Sequence, residues 1–249
     1  MLKVEKLQKS FDGFMAVADA NLVVSKGEVV AVIGPNGAGK TTLFHLITGQ
    51  VSPDSGHIFF KGQDIAGLAP YQICRKGICR SYQVVNIFKR MTVFENVQVA
   101  LMSFLKMTLN VMTPARKLLI KETLDILESV GLAEKSNQIS GSLSHGDQKV
   151  LEIAIALGNR PELLILDEPT AGMSPEETAM ALGLMNRLSG KLGLTILFCE
   201  HDMELVFSIA ERIMVMQLGK TLIQSTPDLV KSCRQVQEAY LGGGYLTDA

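Results

Sequence analysis

The sequence predicts an α/β fold in which a parallel sheet carries a phosphate-binding loop. The loop pattern G-x-x-x-x-G-K-[ST] lies at residues 34–41, between an apolar, β-branched run at 29–33 and a helix-compatible stretch at 43–47. Two further apolar runs, at 163–166 and 194–199, each end directly before acidic residues. Short runs that are apolar throughout are typical of strands buried in a parallel sheet.

The loop has the composition that a phosphate group requires. Its glycines allow backbone N–H groups to converge on phosphate oxygens, and the helix N-terminus adds unpaired donors and a favourable dipole. Lys40 supplies a mobile positive charge for the terminal phosphates, and the Thr41 hydroxyl is placed to reach a magnesium ion. The predicted nucleotide-binding residues are Gly34, Pro35, Asn36, Gly37, Ala38, Gly39, Lys40, Thr41 and Thr42.

Length, composition and charge restrict the class of protein. With 249 residues, 47% of them hydrophobic, the chain can bury the core of one domain or of two closely packed subdomains. Lysine plus arginine total 24 and aspartate plus glutamate total 25. Because this balance leaves no basic tail or stripe, we expect no nucleic acid partner.

The chain also lacks the signals of a secreted or membrane-spanning protein. Its N-terminus has no long apolar core, and no apolar run approaches the ~20 residues that span a bilayer. The four cysteines form no C-x-x-C pair, so we expect reduced thiols without a metal role. We therefore expect a soluble, cytosolic protein, and attachment to a membrane protein remains open.

The hydrophobic periodicity changes along the chain. Residues 3–24 are predicted to form two antiparallel strands joined by a loop. Farther along, strand alternation gives way to helical spacing, with helices predicted over 114–130 and 144–157. The predicted organisation is a single domain over 1–249, with a nucleotide-binding α/β core (1–83 and 159–249) and an inserted α-helical subdomain (84–158).

A helix is predicted to start at Ser174, where three signals agree. Serine stands at the N-cap, Pro175 at the first helical position and Glu177 at the third. This helix should extend to about Leu188. Residues 213–224 are predicted to form a β-hairpin.

Polar side chains follow two of the predicted buried strands. In an open parallel sheet, ligands gather at the carboxyl ends of the strands. Asp167 can hold magnesium there, directly or through water, and Glu168 can orient or deprotonate an attacking water. A neutral imidazole at His201 can contact the γ-phosphate, although a loop histidine with a structural role is the alternative. Phe11 and Phe14 offer an aromatic face for adenine, and a core role is equally compatible with either.

In their order along the chain, these motifs resemble the nucleotide-binding subunits of ABC transporters, over nearly the whole length. The match includes the family signature L-S-G-G-Q, which here is Leu-Ser-His-Gly-Asp at 143–147. The other matched positions are the phosphate loop (34–42), the adenine-stacking aromatic (Phe11), the Q-loop glutamine (Gln83), Walker B (163–169), the D-loop (171–174) and the switch histidine (His201).

The chain departs from the family pattern in two motifs. In the signature, His145 replaces the first glycine and Asp147 stands where glutamine is usual. Ser144 and Gly146 are retained, so the phosphate-facing hydroxyl and the close backbone approach survive. In the D-loop, Ser174 stands in place of the usual aspartate, which puts the usual cross-dimer hydrogen bond in doubt.

The resemblance implies ATP and Mg²⁺ as cofactors and ATP hydrolysis coupled to transport. Two subunits would meet head to tail, with each ATP between the phosphate loop of one and the signature of the other. The implied catalytic residues are Glu168 as general base, His201 and Gln83; the implied magnesium ligands are Thr41, Asp167 and Gln83; the signature residues acting in trans are Ser144, His145, Gly146 and Asp147.

Finer segments, among them 77–83, 91–97 and 239–242, resemble the ATPases of branched-chain amino acid importers. Urea and short-amide importers share much of this pattern and remain open. The implied partners are two integral-membrane permease subunits, a second ATPase subunit and, indirectly, an extracytoplasmic substrate-binding protein. A heterodimer is favoured and a homodimer remains open. The implied location is peripheral, on the cytoplasmic face of the cell membrane.

Two other classes compete with a transport ATPase. Soluble ABC-type ATPases of translation or DNA repair typically carry two fused ATPase units or a long coiled-coil insertion, and this sequence has neither. A nucleotide-binding regulatory module without turnover is opposed by the presence of Lys40, Glu168 and His201.

Overall fold

The computed structural model describes residues 1–81, 86–107, 114 and 118–241. Within these residues, ten strands form one sheet in the order β5-β4-β1-β2-β10-β9-β3-β8-β7-β6. The strands are β1 (Leu2–Phe11), β2 (Phe14–Val24), β3 (Val29–Ile33), β4 (Ser55–Phe60), β5 (Gln63–Asp64), β6 (Ile78–Arg80), β7 (Leu163–Asp167), β8 (Thr195–Cys199), β9 (Arg212–Gln217) and β10 (Lys220–Ser225).

One half of the sheet is parallel and buried. Strand β3 lies between β8 and β9, and β8, β7 and β6 follow in order, all parallel. Every residue of β3, β7 and β8 is buried. The three apolar runs of the sequence are therefore these strands, and the predicted parallel sheet is confirmed.

The other half of the sheet is antiparallel. Strands β1 and β2 pair with each other, which confirms the two strands predicted over 3–24. Strands β9 and β10 form the predicted hairpin, whose tip is Leu218–Gly219. The tip rests on the phosphate loop, because Gly219 donates its N–H to the carbonyl of Ala38 (3.1 Å) and accepts from the N–H of Ala18 (2.8 Å).

Nine helices surround this sheet in the described part of the chain. They are α1 (Lys40–Ile47), α2 (Pro70–Lys76), α3 (Val93–Phe104), α4 (Ile120–Val130), α5 (His145–Gly158), α6 (Pro175–Leu192), α7 (Met203–Ile209), α8 (Pro227–Ser232) and α9 (Arg234–Leu241). Helices α3, α4 and α5 pack on one another, in agreement with the helical character expected of this segment. The division of the chain at 83/84 and 158/159 remains a prediction.

Two helices differ in length from the prediction. Helix α4 begins at Ile120 rather than near 114, because Leu119 has a left-handed backbone (φ 53°) that a helix cannot include. Helix α6 continues to Leu192, one turn beyond the predicted end. Gly193 then ends it in a left-handed conformation.

The sheet separates two hydrophobic cores. Alternate residues of β3 enter different cores, with Ala31 and Ile33 on one face and Val30 and Val32 on the other. The first face packs against α3, α5 and α6, and the second against α1 and the antiparallel strands. Among the described residues, no helix combines the length and the apolarity needed to cross a membrane.

Candidate active site

The predicted polar residues meet at one edge of the sheet. Strand β8 lies between β3 and β7, and all three run in the same direction. Their carboxyl ends therefore bring the phosphate loop, Glu168 and His201 to one cleft of about 230 Å³. The cleft is lined by Asn36, Gly37, Ala38, Gly39, Lys40, Thr41 and Thr42 of the loop, together with Phe14, Ala16, Glu168 and His201.

Lys40 lies inside the phosphate loop. Its Nζ donates to the carbonyl oxygens of Gly34 (2.6 Å) and Pro35 (3.3 Å), and its side chain is almost fully buried. Burial lowers the pKa of Lys40, and the acidic groups of Cys199, Glu168 and Asp167 oppose this shift. The ammonium is thus held at the loop by two carbonyls that a phosphate group can replace.

At two positions of the loop, the neighbouring backbone leaves room only for glycine. A Cβ on Gly34 would lie 2.3 Å from the carbonyl oxygen of Met216, and one on Gly39 would lie 2.5 Å from that of Ala16. Gly39 also has φ 101°, which side chains rarely adopt. The loop is therefore fixed between β2 and β9, so its N–H groups are oriented before any ligand arrives.

Asp167 is the most deeply buried acid of the site. Its Oδ2 accepts a hydrogen bond from Arg80 Nη2 (2.5 Å) and its Oδ1 from the Cys199 thiol (2.8 Å). Burial raises the pKa of the Cys199 thiol, so the thiol remains a donor. The side chains of Arg80 and Asp167 are 4% and 1% exposed, so they form a fully buried ion pair. The sequence interpretation missed Arg80, although its place beside the Q-loop glutamine was a signal.

Glu168 is held on three sides. Its Oε1 lies 3.0 Å from His201 Nε2, its N–H donates to the carbonyl of Cys199 (3.0 Å), and its own carbonyl accepts from Lys149 Nζ (3.0 Å). The backbone of Glu168 is left-handed, with φ 50°. A non-glycine residue in this region stores about 1–3 kcal/mol, which the surrounding contacts offset.

Two further charged residues support this edge, and the sequence interpretation assigned neither. Lys149 of α5 also donates to the carbonyl of Ala171 (2.7 Å), and burial lowers the pKa of Lys149. Glu200 is buried and accepts hydrogen bonds from the N–H (2.8 Å) and hydroxyl (2.7 Å) of Thr170. Its position directly after β8 was the available signal.

The signature residues lie at the start of α5, outside the cleft of the phosphate loop. Ser144 is the N-cap, whose Oγ accepts from the N–H of Asp147 (3.1 Å) and donates to Glu177 Oε1 (3.2 Å). The carboxylate of Asp147 is paired with Lys135. Ser144, Gly146 and Asp147 line a separate groove with Glu177.

The aromatic assignment differs between sequence and structure. Phe14 is 67% exposed and lines the cleft, whereas Phe11 is 42% exposed and is not among the cleft residues. The role of Phe11 at adenine therefore remains a prediction. Gln83, predicted to serve catalysis and magnesium, lies outside the described residues.

Comparison with known proteins identifies the family to which this fold belongs. Residues 17–171 match the ABC transporter family. The chain belongs to this family, and it is an ATP-binding, ATP-hydrolysing subunit of a transporter.

Particular relatives are similar over almost their whole length. The high-affinity branched-chain amino acid transport ATP-binding proteins BraF of Pseudomonas aeruginosa and LivG of Escherichia coli (strain K12) are each 41% identical over 249 residues, covering 97% of this chain and 98% of theirs. The ADP conformation of MJ1267, an ATP-binding cassette of an ABC transporter, superposes with a TM-score of 0.85 at 30% identity, covering 97% of this chain and 98% of that one.

We predict that Arg80→Met destabilises the protein by about 3–5 kcal/mol, because it leaves the buried carboxylate of Asp167 without its cation. Urea unfolding of the isolated chain measures this. Arg75→Met is the control, since Arg75 lies on the exposed face of α2 and its loss should cost about 0.5 kcal/mol or less. Equal losses in the two variants would contradict a buried ion pair.

Proposed function

We propose that this chain powers an importer of branched-chain or other hydrophobic amino acids. The observation that carries the proposal is the cleft in which Lys40, Glu168 and His201 meet, in a chain 41% identical to two ATP-binding proteins of branched-chain amino acid transport. An importer of urea or short amides is the alternative, since such importers share much of the sequence pattern described above.

In the proposed reaction, the loop N–H groups and Lys40 bind the β- and γ-phosphates of ATP. Glu168 takes the proton of the attacking water, and His201 contacts the γ-phosphate and helps to position that water. The 3.0 Å contact between His201 Nε2 and Glu168 Oε1 supports these two roles, because it holds both side chains at the same side of the cleft. Gln83 completes the proposed catalytic set.

The residues present fit a magnesium ion bound mainly through ATP. Thr41 is exposed in the cleft and offers its hydroxyl, whereas both oxygens of Asp167 already accept hydrogen bonds from protein donors. Because Mg²⁺ keeps several waters, we propose that Asp167 reaches it through water, with Thr41 and Gln83 as the other protein ligands. The ion would neutralise charge on the β- and γ-phosphates.

Each active site is proposed to need two subunits. Ser144, Gly146 and Asp147 line a groove separate from the phosphate loop, which supports a role for the signature residues, His145 included, on the ATP of a partner subunit. Ser144 and Gly146 would supply donors to the γ-phosphate. We favour a second, non-identical ATPase subunit as that partner.

The adenine ring is proposed to stack on Phe11. Phe14 is the alternative, because it lies in the cleft.

The remaining partners are proposed to be two membrane permeases, with a substrate-binding protein acting through them. A groove between α2, the end of β6 and α5 is lined by Tyr71, Cys74, Phe88 and Ile155. Tyr71 and Phe88 are exposed, which suits contact with an apolar helix end of a permease. The proposed organisation is a core of 1–83 and 159–249 with a partner-binding helical subdomain of 84–158. The chain would lie on the cytoplasmic face of the membrane.

Glu168→Gln should reduce ATP hydrolysis by about 10²-fold or more and preserve ATP binding, because glutamine cannot accept the proton of the water. Phosphate release by the purified transporter complex measures the rate. Glu204→Gln removes an exposed acid in the nearby first turn of α7 and should leave the rate unchanged. Near-normal turnover in Glu168→Gln would refute the role as general base.

Lys40→Ala should abolish measurable ATP binding, because the loop loses the positive charge that faces the terminal phosphates. Calorimetric titration of the isolated chain with Mg·ATP measures the affinity, and thermal unfolding checks that the variant is folded. Lys26→Ala, an exposed lysine before β3, is the control. An unchanged affinity in Lys40→Ala would count against the assigned phosphate loop.

Affinity isolation from native membranes in mild detergent tests the transport role itself. We expect two multi-spanning permeases and a second, similar ATPase to accompany the chain, and mass spectrometry identifies them. A co-purifying substrate-binding protein can then be tested for branched-chain amino acids against urea and acetamide. Recovery with ribosomal or DNA-repair proteins and without a permease would overturn the proposal.

A further inference from the structure

We propose that Glu177 sets the affinity of the signature for ATP: its carboxylate accepts the hydroxyl hydrogen of Ser144 in the free subunit, and the terminal phosphate displaces it. The inference rests on the proposed role of the signature in trans. It concerns a residue of α6 to which neither the family motifs nor the proposed catalytic set gives a role.

The contacts of Glu177 join two helix N-termini. Its Oε1 accepts from the hydroxyl of Ser144 (3.2 Å), and its Oε2 accepts from the N–H of Ser174 (3.0 Å). A Cβ built on Gly146 would lie 2.5 Å from Oε1, so the carboxylate lies directly against the signature backbone. The N–H of Ser174, followed by the hydroxyl of Ser144, lowers the pKa of Glu177, so the group is ionised.

The hydroxyl of Ser144 can donate to only one acceptor at a time. The hydroxyl of Ser144 has one hydrogen, which it donates to Glu177, while its oxygen accepts from the N–H of Asp147. A phosphate oxygen can therefore gain this donor only by displacing the carboxylate of Glu177.

Glu177 can leave the signature without losing its place in the fold. Its Oε2 bond to the N–H of Ser174 is half of the capping box that starts α6, and the positive end of the helix dipole lies at the same turn. Asp147 does not take over its role, because Lys135 holds that carboxylate. The carboxylate of Glu177 therefore competes with the terminal phosphate for the hydroxyl of Ser144 and repels the phosphate.

This competition also separates ATP from ADP. Only the γ-phosphate is proposed to reach the signature of the partner subunit, so ADP brings no group that could displace Glu177. The hydroxyl of Ser144 then stays hydrogen-bonded to the carboxylate of its own subunit. A neutral side chain of the same shape should make displacement easier.

The test is Glu177→Gln in the purified transporter complex, with the KM for ATP as the readout. Glutamine keeps an oxygen acceptor for the capping box but removes the charge, so we expect the KM to fall by about fivefold, the effect of one nearby charge at a solvated site. Glu176→Gln removes the neighbouring exposed charge from the same helix turn and should leave the KM unchanged. A KM in Glu177→Gln that is unchanged or raised would overturn the proposal.

A second measurement tests the contact without ATP. In the isolated chain labelled with ¹⁵N-glycine, the Gly146 amide proton should move upfield in Glu177→Gln, because the negative charge beside the Gly146 backbone is removed, and stay in place in Glu176→Gln. An unmoved signal would show that the Glu177 carboxylate does not lie against the signature. A wild-type complex without ATPase activity would refute the proposed function instead, and the amide signal would still decide the contact.

Discussion

The parallel pairing of β3, β8 and β7 is the constraint on which the site depends. Because β8 hydrogen-bonds to both neighbours in the same direction, the chain leaves all three strands at one edge. The phosphate loop, Glu168 and His201 are far apart in sequence, and this register alone makes them neighbours. The strands are buried on both faces, so a shift of the register would break the packing of two cores at once.

Polar groups buried behind this edge give the site its rigidity. Three such groups each bind a partner from another part of the chain: Arg80 binds Asp167, Lys149 binds two carbonyls, and Glu200 binds Thr170. Burying each of these polar groups costs desolvation free energy. The hydrogen bonds or the ion pair offset that cost only when their geometry is good. The left-handed backbone of Glu168 is retained because these contacts hold the chain on either side of it.

The phosphate loop and the signature are held in place by different sets of contacts. The phosphate loop is fixed from behind by β2 and by the tip of the β9–β10 hairpin, whereas the signature is fixed by its own N-cap and by Glu177. In one chain these halves line different cavities. In the proposed two-subunit arrangement, each subunit would offer its phosphate loop to one nucleotide and its signature to another.

The sequence by itself determined the local features. The phosphate loop, the three buried strands, the β9–β10 hairpin and the capping box at Ser174 each depend on residues within about ten positions, where spacing and backbone preference decide the outcome. The order of these motifs along the chain was enough to predict the family. Helix ends were less certain, because the left-handed Leu119 that starts α4 carries no sequence signal.

Only the tertiary structure decided which distant side chains meet. Arg80 and Asp167 are 87 positions apart, and Ser144 and Glu177 are 33 apart. It also placed Phe14 rather than Phe11 at the cleft and turned Asp147 toward Lys135. Such contacts depend on strand order and on how helices pack against the sheet, and no local periodicity encodes either, because each arises from the burial of the whole chain.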